Sequence, residues 1–545
     1  MRRSRHAGSL LLMLTMVLAL PGRPHAQDLE SRVRVHQLGN GMVFLLLPRH
    51  ISPTISFSMR FMAGGSDEAI GTGGTAHLLE HMLFKGTHSL GTRNWPAESQ
   101  LLEKIDEVGA KLDSLRNGRE LVNKDKDEDP DPEVSQLEAQ LKALQDEATT
   151  YRIEDEISSI YSRAGEVGFN ASTDQDLTTY TVSLPKNRLE LWARIESDRM
   201  LEPVLRQYYS ERDVVMEERR LRVDANPAGK LLEQFGAAAY QAHNYGQPVI
   251  GWASEIQQLS KARTEEFRKL HYAPNNSVTA IVGDFEIEVV VPILERYFGR
   301  IPPQPLPHPA KVAEPEQMGE RRVVVEEDAN PMIVMGFHKP TLPSREDYVF
   351  DVVTALLSEG RSSRLYKNLV RDKRMALSVD SFGGYPGTRY PNLFCILGLP
   401  RAPHTTAELE QAIQEELDRL KAEPVTEREL TKVINNLEAS FIRGLDSNSG
   451  LAGTLSYFQA LAGDWRYVAR HSKVIRTIKP EEVQAVAKKY LVRRNRTVAV
   501  LERPVPAEVP VPVAVESKSL PDGTNSSDPE ENPEPKDSTA GTDEK

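Results

Sequence analysis

The chain has 545 residues, of which 39% are hydrophobic and 27% are charged, and it carries a formal net charge of -12 at pH 7. This length is too great for a single hydrophobic core and predicts a soluble globular protein of two or more domains. The acidic balance, without a basic stripe of interleaved aromatic residues, argues against a nucleic-acid-binding protein.

The first 26 residues have the layout of a secretory signal peptide. Arginines near the start precede an apolar run, Leu10–Leu20, which is too short for a comfortable membrane span, and cleavage is expected after Ala26. We therefore expect export, to a bacterial periplasm or as a secreted protein, without an integral membrane segment. Cys395 is the only cysteine, so no internal disulfide is possible despite the exported destination.

Alternation of apolar and polar residues predicts a sheet in the region that follows. Strands are expected at Val33–His36, Met42–Leu47 and Ile55–Met62, with a turn at Gly39-Asn40-Gly41 between the first two. A helix is expected from about Gly74. The first domain therefore begins with strands that lead into a helix.

The stretch from Gly73 to Thr87 carries the strongest chemical signal in the chain. If it is helical, His77, Glu80 and His81 lie at positions i, i+3 and i+4 and share one face. Two imidazoles one turn apart can hold a divalent metal ion, and a carboxylate beside them can accept a proton from water. This is H-x-x-E-H, the inverse of the H-E-x-x-H zinc-hydrolase motif. The alternative is a surface histidine pair on an amphipathic helix.

A charged segment at about residues 103–162 carries leucines at helical spacing and is divided by the polar run Asn123–Pro132. This pattern predicts a helical hairpin, of coiled-coil type, that projects from the first domain. Two interpretations stay open for it. One is a solvated helical pair without a function, and the other is a docking or gating element.

Carboxylates on a later helix are the candidates to complete a metal site. In the helix expected at about residues 206–222, Glu211 and Glu218 are seven positions apart and point the same way. Glu217 lies roughly 100° off that line. Glu218, with Glu211 behind it, is therefore the pair most able to face a common site, although a structural salt bridge would give Glu211 the same pattern. His88 is interpreted as a loop histidine rather than a further ligand.

The end of the chain echoes its first part. A helix ending at Tyr272 precedes a strand at Asn276–Val282, and a helix reaching Tyr490 precedes a strand at Thr497–Leu501, which predicts two halves of one architecture. The expected divisions after the signal peptide (1–26) are an N-terminal domain (27–300), a proline-rich linker (301–320), a C-terminal domain (321–503) and a disordered acidic tail (504–545).

Taken together, these motifs resemble the M16 (insulinase/pitrilysin) metallopeptidases, and the size is nearest to the short branch that is similar to the mitochondrial processing peptidase. The segments that carry the resemblance follow the family's order over about residues 33–501: Asn40-Gly41, Gly64-Gly65-Ser66, His77–Thr87, Asn170-Ala171-x-Thr173, Glu211–Glu218, Tyr272–Asn276 and Ser363-Arg364-Leu365. The resemblance implies an α+β fold of two homologous α/β domains, each a mostly antiparallel sheet backed by helices, which close like a clamshell.

The resemblance also implies a zinc endopeptidase and assigns roles by position. His77 and His81 correspond to the two histidine ligands of Zn²⁺, and Glu80 corresponds to the catalytic base. Glu218 corresponds to the distal carboxylate ligand, and Glu211 to the acid that supports catalysis behind it. The distance from His81 to Glu218 is roughly sixty residues longer than the family usually shows, and insertion of the charged hairpin accounts for that length.

The substrate-binding positions implied by the resemblance are Asn170, Ala171 and Arg371. Asn170 and Ala171 match the edge strand that holds an extended peptide by β-augmentation, although Asn170 alone would also fit a turn cap. Arg371 matches the first residue of a family Arg/Tyr pair, but Ser378 stands where the tyrosine is expected. This departure implies a heterodimer in which a second M16-like subunit supplies the pair. The alternatives are a non-catalytic assembly subunit and an active homodimer or monomer.

Overall fold

Two mixed sheets organise the protein, for which the computed structural model describes residues 29–120, 131–306 and 312–504. The strands of the first sheet are β1 (Arg34–Gln37), β2 (Val43–Pro48), β3 (Thr54–Phe61), β4 (Val167–Thr173), β5 (Thr178–Pro185) and β6 (Ser277–Gly283). The strands of the second sheet are β7 (Arg321–Glu326), β8 (Met332–Lys339), β9 (Ala376–Tyr385), β10 (Asn392–Pro400) and β11 (Arg496–Glu502). The expected signal peptide and, from residue 505, the expected tail lie outside the described residues.

The two sheets repeat one topology. The first has the order β1-β2-β6-β3-β5-β4 and the second has the order β7-β11-β8-β10-β9. The pairs β2–β6 and β7–β11 are parallel, and the other neighbours are antiparallel. Strands β2 to β6 therefore correspond in order and direction to β7 to β11, and β1 is an addition at one edge. This confirms the predicted fold of two homologous, mostly antiparallel halves.

Helices cover both sheets. Those of the first half are α1 (Leu29–Arg32), α2 (Thr75–Met82), α3 (Trp95–Glu120), α4 (Pro132–Ala148), α5 (Glu156–Arg163), α6 (Leu189–Leu201), α7 (Tyr208–Arg219), α8 (Pro227–Ala239), α9 (Ala253–Gln258), α10 (Lys261–His271) and α11 (Ile287–Phe298). Those of the second half are α12 (Arg345–Ser358), α13 (Thr406–Ala422), α14 (Glu427–Gly444), α15 (Asn448–Ala462), α16 (Tyr467–Ile475) and α17 (Pro480–Tyr490). Among the described residues, none of these helices combines the length and the apolar character that a membrane span requires.

The charged hairpin is formed by α3 and α4, which pack against each other. Leu112 on α3 and Leu137 and Leu141 on α4 are buried and belong to the same core as the first sheet. Their charged neighbours remain exposed to solvent, as the pattern predicts. The buried leucine face agrees with a helical hairpin whose two arms pack against each other, and its projection from the domain stays a prediction.

One helix of each half packs on the sheet of the other half. Leu451 and Leu455 of α15, from the second half, pack with Leu45 and Val282 of the first sheet. Phe235 of α8, from the first half, packs in the same way against the second sheet. All of the described chain belongs to a single unit. This exchange does not fit the clamshell closure that the resemblance implies, because opening would pull two buried helices off the sheets.

Candidate metal centre

The start of α2 is fixed by contacts on its backbone. Gly74 has a φ of +90°, and a Cβ added there would lie 2.5 Å from the carbonyl oxygen of Ile250, so a larger residue does not fit. The buried carboxylate of Glu68 accepts hydrogen bonds from the backbone N–H groups of Gly74 (3.0 Å) and Ala76 (2.6 Å). Two of the donors left free at a helix N-terminus are thereby satisfied. The helix that carries the histidines therefore begins at a set position.

His77, His81 and Glu218 converge, with one ligand atom of each within 4.8 Å of the other two. Nε2 of His77 lies 3.6 Å from Oε1 of Glu218, and Nε2 of His81 lies 3.4 Å from Oε2. Zinc ligands at 2.0–2.1 Å in a tetrahedral arrangement are separated by about 3.3 Å. The carboxylate thus lies from each nitrogen at about the separation of two zinc ligands, and the three groups are of the types that bind zinc.

Electrostatics at the cluster favour a positive charge between the side chains. Burial lowers the pKa of His77 to about 4, so its imidazole is neutral at pH 7, the form that binds a metal ion. Burial disfavours the charged form of His81, but hydrogen bonding to Glu211 and Glu218 outweighs it and raises the pKa to about 9. The carboxylates therefore stabilise a cation at this position, whether it is a proton or a metal ion.

Glu211 contacts His81 at Nδ1, on the side of the ring away from the cluster. Its Oε1 lies 3.0 Å from Nδ1 of His81, and its Oε2 lies 2.6 Å from Nζ of Lys85. A carboxylate on Nδ1 orients the ring so that Nε2 faces the cluster, as second partners of metal-binding histidines do. On the other side, Arg222 contacts Oε1 of Glu218 at 2.7 Å from an exposed position. Glu211 therefore forms a salt bridge and at the same time orients His81, so the two interpretations of this residue describe the same arrangement.

Glu80 lies between the cluster and the edge of the first sheet. Its Oε2 accepts a hydrogen bond from Thr173 of β4 at 2.6 Å, and the residue is 9% exposed. Burial raises its pKa. Asn170 and Ala171 lie on β4, which ends the strand order, so one side of this strand has no neighbour among the described strands. The predicted catalytic and peptide-binding residues are therefore adjacent.

Arg371 is not brought to this cluster by any contact of the described residues. It is the second-last residue of a π-helical segment, Tyr366–Asp372, and its Nε donates to Oδ1 of Asp372 at 2.7 Å. Ser378 lies on β9 opposite Leu399 of β10. The described contacts thus give neither residue a link to the metal ligands.

Four contributors to the site were missed from the sequence. Arg222 is four residues after Glu218, which it contacts, so helical spacing was a usable signal for it. Lys85 follows the end of α2 and contacts Glu211 on α7, so helical spacing gave no signal for it. Glu68 and the contact of Thr173 with Glu80 have no such local signal, because they depend on how separate segments meet in three dimensions.

Two family models match the chain. The model described as insulinase (peptidase family M16) matches residues 45–122 and 142–252, and the model described as peptidase M16 inactive domain matches residues 258–437. A protein named zinc protease PqqE, from Helicobacter pylori, is 26% identical over 500 residues, which cover 90% of this chain and 97% of that protein.

Solved structures agree with the sequence matches at the level of the fold. The crystal structure of a protease from Helicobacter pylori has a TM-score of 0.72 at 24% identity and covers 86% of this chain and 99% of its own. The structure of the periplasmic protease PqqL from Escherichia coli has a TM-score of 0.63 at 14% identity and covers 87% of this chain and 48% of its own. Because the family models together match well over half of the residues, this chain belongs to the insulinase family of peptidases, family M16.

Proposed function

We propose that the protein is a zinc-dependent endopeptidase that hydrolyses extended peptides or unfolded segments. The observation that carries the proposal is the convergence of His77, His81 and Glu218, with Glu80 alongside and a free strand edge next to it. The names of the relatives, zinc protease among them, point the same way. A non-catalytic assembly subunit is the alternative, but such a subunit has no need of all four side chains in one place.

His77, His81 and Glu218 are the residues that would hold zinc. Bound there, zinc would act as a Lewis acid on the peptide carbonyl and lower the pKa of water to about 7. Glu80 accepts the proton of the attacking water and returns it to the leaving amine. The hydrogen bond from Thr173 fixes one carboxylate oxygen of Glu80 and leaves the other available for this transfer.

The edge strand β4 supplies a binding mode for substrate. An extended peptide that pairs with the outer side of Asn170 and Ala171 is held by main-chain hydrogen bonds, which make little demand on its side chains. Because β4 contacts α2, this places the peptide beside Glu80. Most strands of a folded protein are already paired within its own sheets, so the preferred substrates are unstructured.

We also propose that the chain works as the metal-bearing subunit of a heterodimer. Ser378 is several ångströms shorter than the tyrosine expected at its position, and Arg371 is already paired with Asp372. A second M16-like subunit with an intact Arg/Tyr pair would supply the missing groups. We further propose an exported, periplasmic location, for which the support is the predicted signal peptide (1–26) and the periplasmic relative.

The test is cleavage of an unstructured fluorogenic peptide by protein purified with its native partners retained, before and after removal of zinc by a chelator. Zinc-dependent cleavage, regained when zinc is returned, supports a peptidase. A preparation that binds zinc but never cleaves, even with its native partners retained, supports the assembly-subunit alternative.

A further inference from the structure

The second half contains a cavity of about 580 Å³ between α12, β9 and the helices α14 to α16. This volume is within the range of small-molecule sites, roughly 300–1,000 Å³. The charged residues in its wall are Lys339, Asp347, Asp351 and Glu359, and the aromatic ones are Phe350, Phe441, Tyr457, Phe458, Tyr467 and His471. The metal-peptidase proposal makes no use of this cavity.

The topology gives the cavity a counterpart in the first half. Helix α12 follows β8 as α2 follows β3, and β9 ends its sheet as β4 does. The third and seventh residues of α2 are His77 and His81, whereas those of α12 are Asp347 and Asp351. The cavity therefore lies where the second half would carry a metal centre, but two carboxylates stand in place of the two histidines.

The cavity wall has three carboxylates, those of Asp347, Asp351 and Glu359, and one permanent cation, Lys339. Lys339 forms a buried ion pair with Asp347. Asp351 accepts a contact on Oδ2 from Nε2 of His471 at 3.0 Å, and its Oδ1 has no hydrogen-bond partner among the described residues. Glu359 is bound by the neutral hydroxyl of Ser440 at 3.2 Å. Two negative charges thus remain without a fixed counterion.

Aromatic rings complete the wall next to Asp351. Phe441 stacks on His471 with ring centroids 5.1 Å apart, and Tyr467 lies 4.5 Å from Phe458. These stacked rings give the cavity an apolar wall that can cover the alkyl stem of a ligand. Asp351 is 43% exposed, so a ligand can reach it from solvent. An anion would be repelled, and a purely apolar ligand would leave the carboxylates buried without a partner.

We propose that this cavity binds an organic cation, a guanidinium or primary ammonium group on a short alkyl stem. The head lies against Asp351, and the stem lies among the aromatic rings. Glu359 adds to the negative potential without needing direct contact. An arginine or lysine side chain of a peptide and a free amine share this chemistry. The site does not depend on the metal centre.

Titration calorimetry with arginine amide tests the proposal, with citrulline amide as the isostere whose side chain is uncharged, and both ligands carry an acetylated α-amino group. Saturable binding is expected for arginine amide, and citrulline amide should bind about tenfold more weakly, because its neutral ureido group donates to Asp351 without the positive charge of the guanidinium group. Asp351→Asn should weaken arginine amide binding by a similar factor. Asp418→Asn on α13 is the matched control, since its exposed carboxylate pairs with Lys421 outside the cavity, and it should leave binding unchanged.

No saturable binding of arginine amide, equal binding of the two amides, or an unchanged affinity in Asp351→Asn would each overturn the proposal. If Asp351→Asn fails to fold by circular dichroism, Glu359→Gln replaces it and must weaken binding. Chelator-treated protein should bind equally well, so a failed peptidase assay leaves this result intact. Tighter binding of an acetylated Gly-Arg-Gly amide than of agmatine assigns the site to peptide side chains, and the reverse order assigns it to free amines.

Discussion

Glu217 and Glu218 are neighbours on α7 with opposite surroundings. Glu218 faces the two histidines, whereas Glu217 points to solvent and pairs with Arg220 at 2.6 Å. We expect Glu218→Gln to weaken zinc binding by more than about 100-fold, because a direct ligand matters more than the supporting partners, whose loss costs 10–100-fold. Glu217→Gln is the matched control and should bind zinc normally. Competition with a fluorescent chelator measures both, and equal affinities would exclude Glu218 as a ligand.

Glu68 determines how well the start of α2 is held. Its two oxygens accept from two backbone N–H groups, and a glutamine would turn one acceptor into a donor that faces another donor. We expect Glu68→Gln to lower the free energy of unfolding by about 1–2 kcal/mol and to weaken zinc binding several-fold. Urea unfolding and chelator competition check this, with Glu107→Gln on the exposed face of α3 as the control. If Glu68→Gln leaves both the free energy of unfolding and the zinc affinity unchanged, the hydrogen bonds from Glu68 to the start of α2 are needed for neither.

The residues of the site differ in how far the sequence predicted them. His77, Glu80 and His81 form a local pattern, and Glu211 and Glu218 share a helical face, so spacing was sufficient to propose them. The cap by Glu68 and the bond from Thr173 to Glu80 join segments that are distant in the chain, and one sequence carries no signal for that.

At the scale of elements, the exchange of α8 and α15 makes each half depend on the other. Phe235 of α8 is fully buried and lies against Gly336 of β8, where a Cβ would come within 2.4 Å of its ring. We expect Phe235→Ala to cost about 3–5 kcal/mol, since it leaves a cavity in a packed interior.

Both halves should lose this stability together. Hydrogen exchange followed by mass spectrometry at increasing urea measures the two sheets separately, and one shared transition is expected in both the variant and the parent. Separate transitions, with the first sheet unaffected by Phe235→Ala, would contradict the interlocked arrangement.

Elements were easier to predict than their packing. The strands at Val43–Pro48 and Thr54–Phe61 lie within one residue of the expected bounds, because alternation and turn residues are local. Helix α3 runs without a break from Trp95 to Glu120, so the first arm of the hairpin expected from about residue 103 is part of a longer helix that begins earlier. Which sheet a helix covers is not encoded in its apolar stripe, so the exchange of α8 and α15 was not predicted.

At the scale of the whole molecule, the departure at Ser378 predicts that the chain is inactive by itself. We expect zinc-loaded protein to show no peptide cleavage alone and to gain it when a second M16-like subunit with an Arg-x6-Tyr pair is added, because the partner supplies groups that contact the substrate carbonyl. The check is to measure peptidase activity as a function of the total concentration of an equimolar mixture of the two subunits. Full activity of the isolated chain would exclude an obligate heterodimer.

The most direct test of the central claim compares the native protein with Glu80→Gln, each isolated from its own host under conditions that retain bound partners. Zinc content and cleavage of an unstructured peptide are measured on the same samples. The account predicts equal zinc in both and a loss of cleavage by at least about 100-fold in the variant, since general acid–base catalysis contributes 10²–10⁴-fold. Cleavage that survives in Glu80→Gln, or a native preparation that holds no zinc at His77, His81 and Glu218, would contradict it.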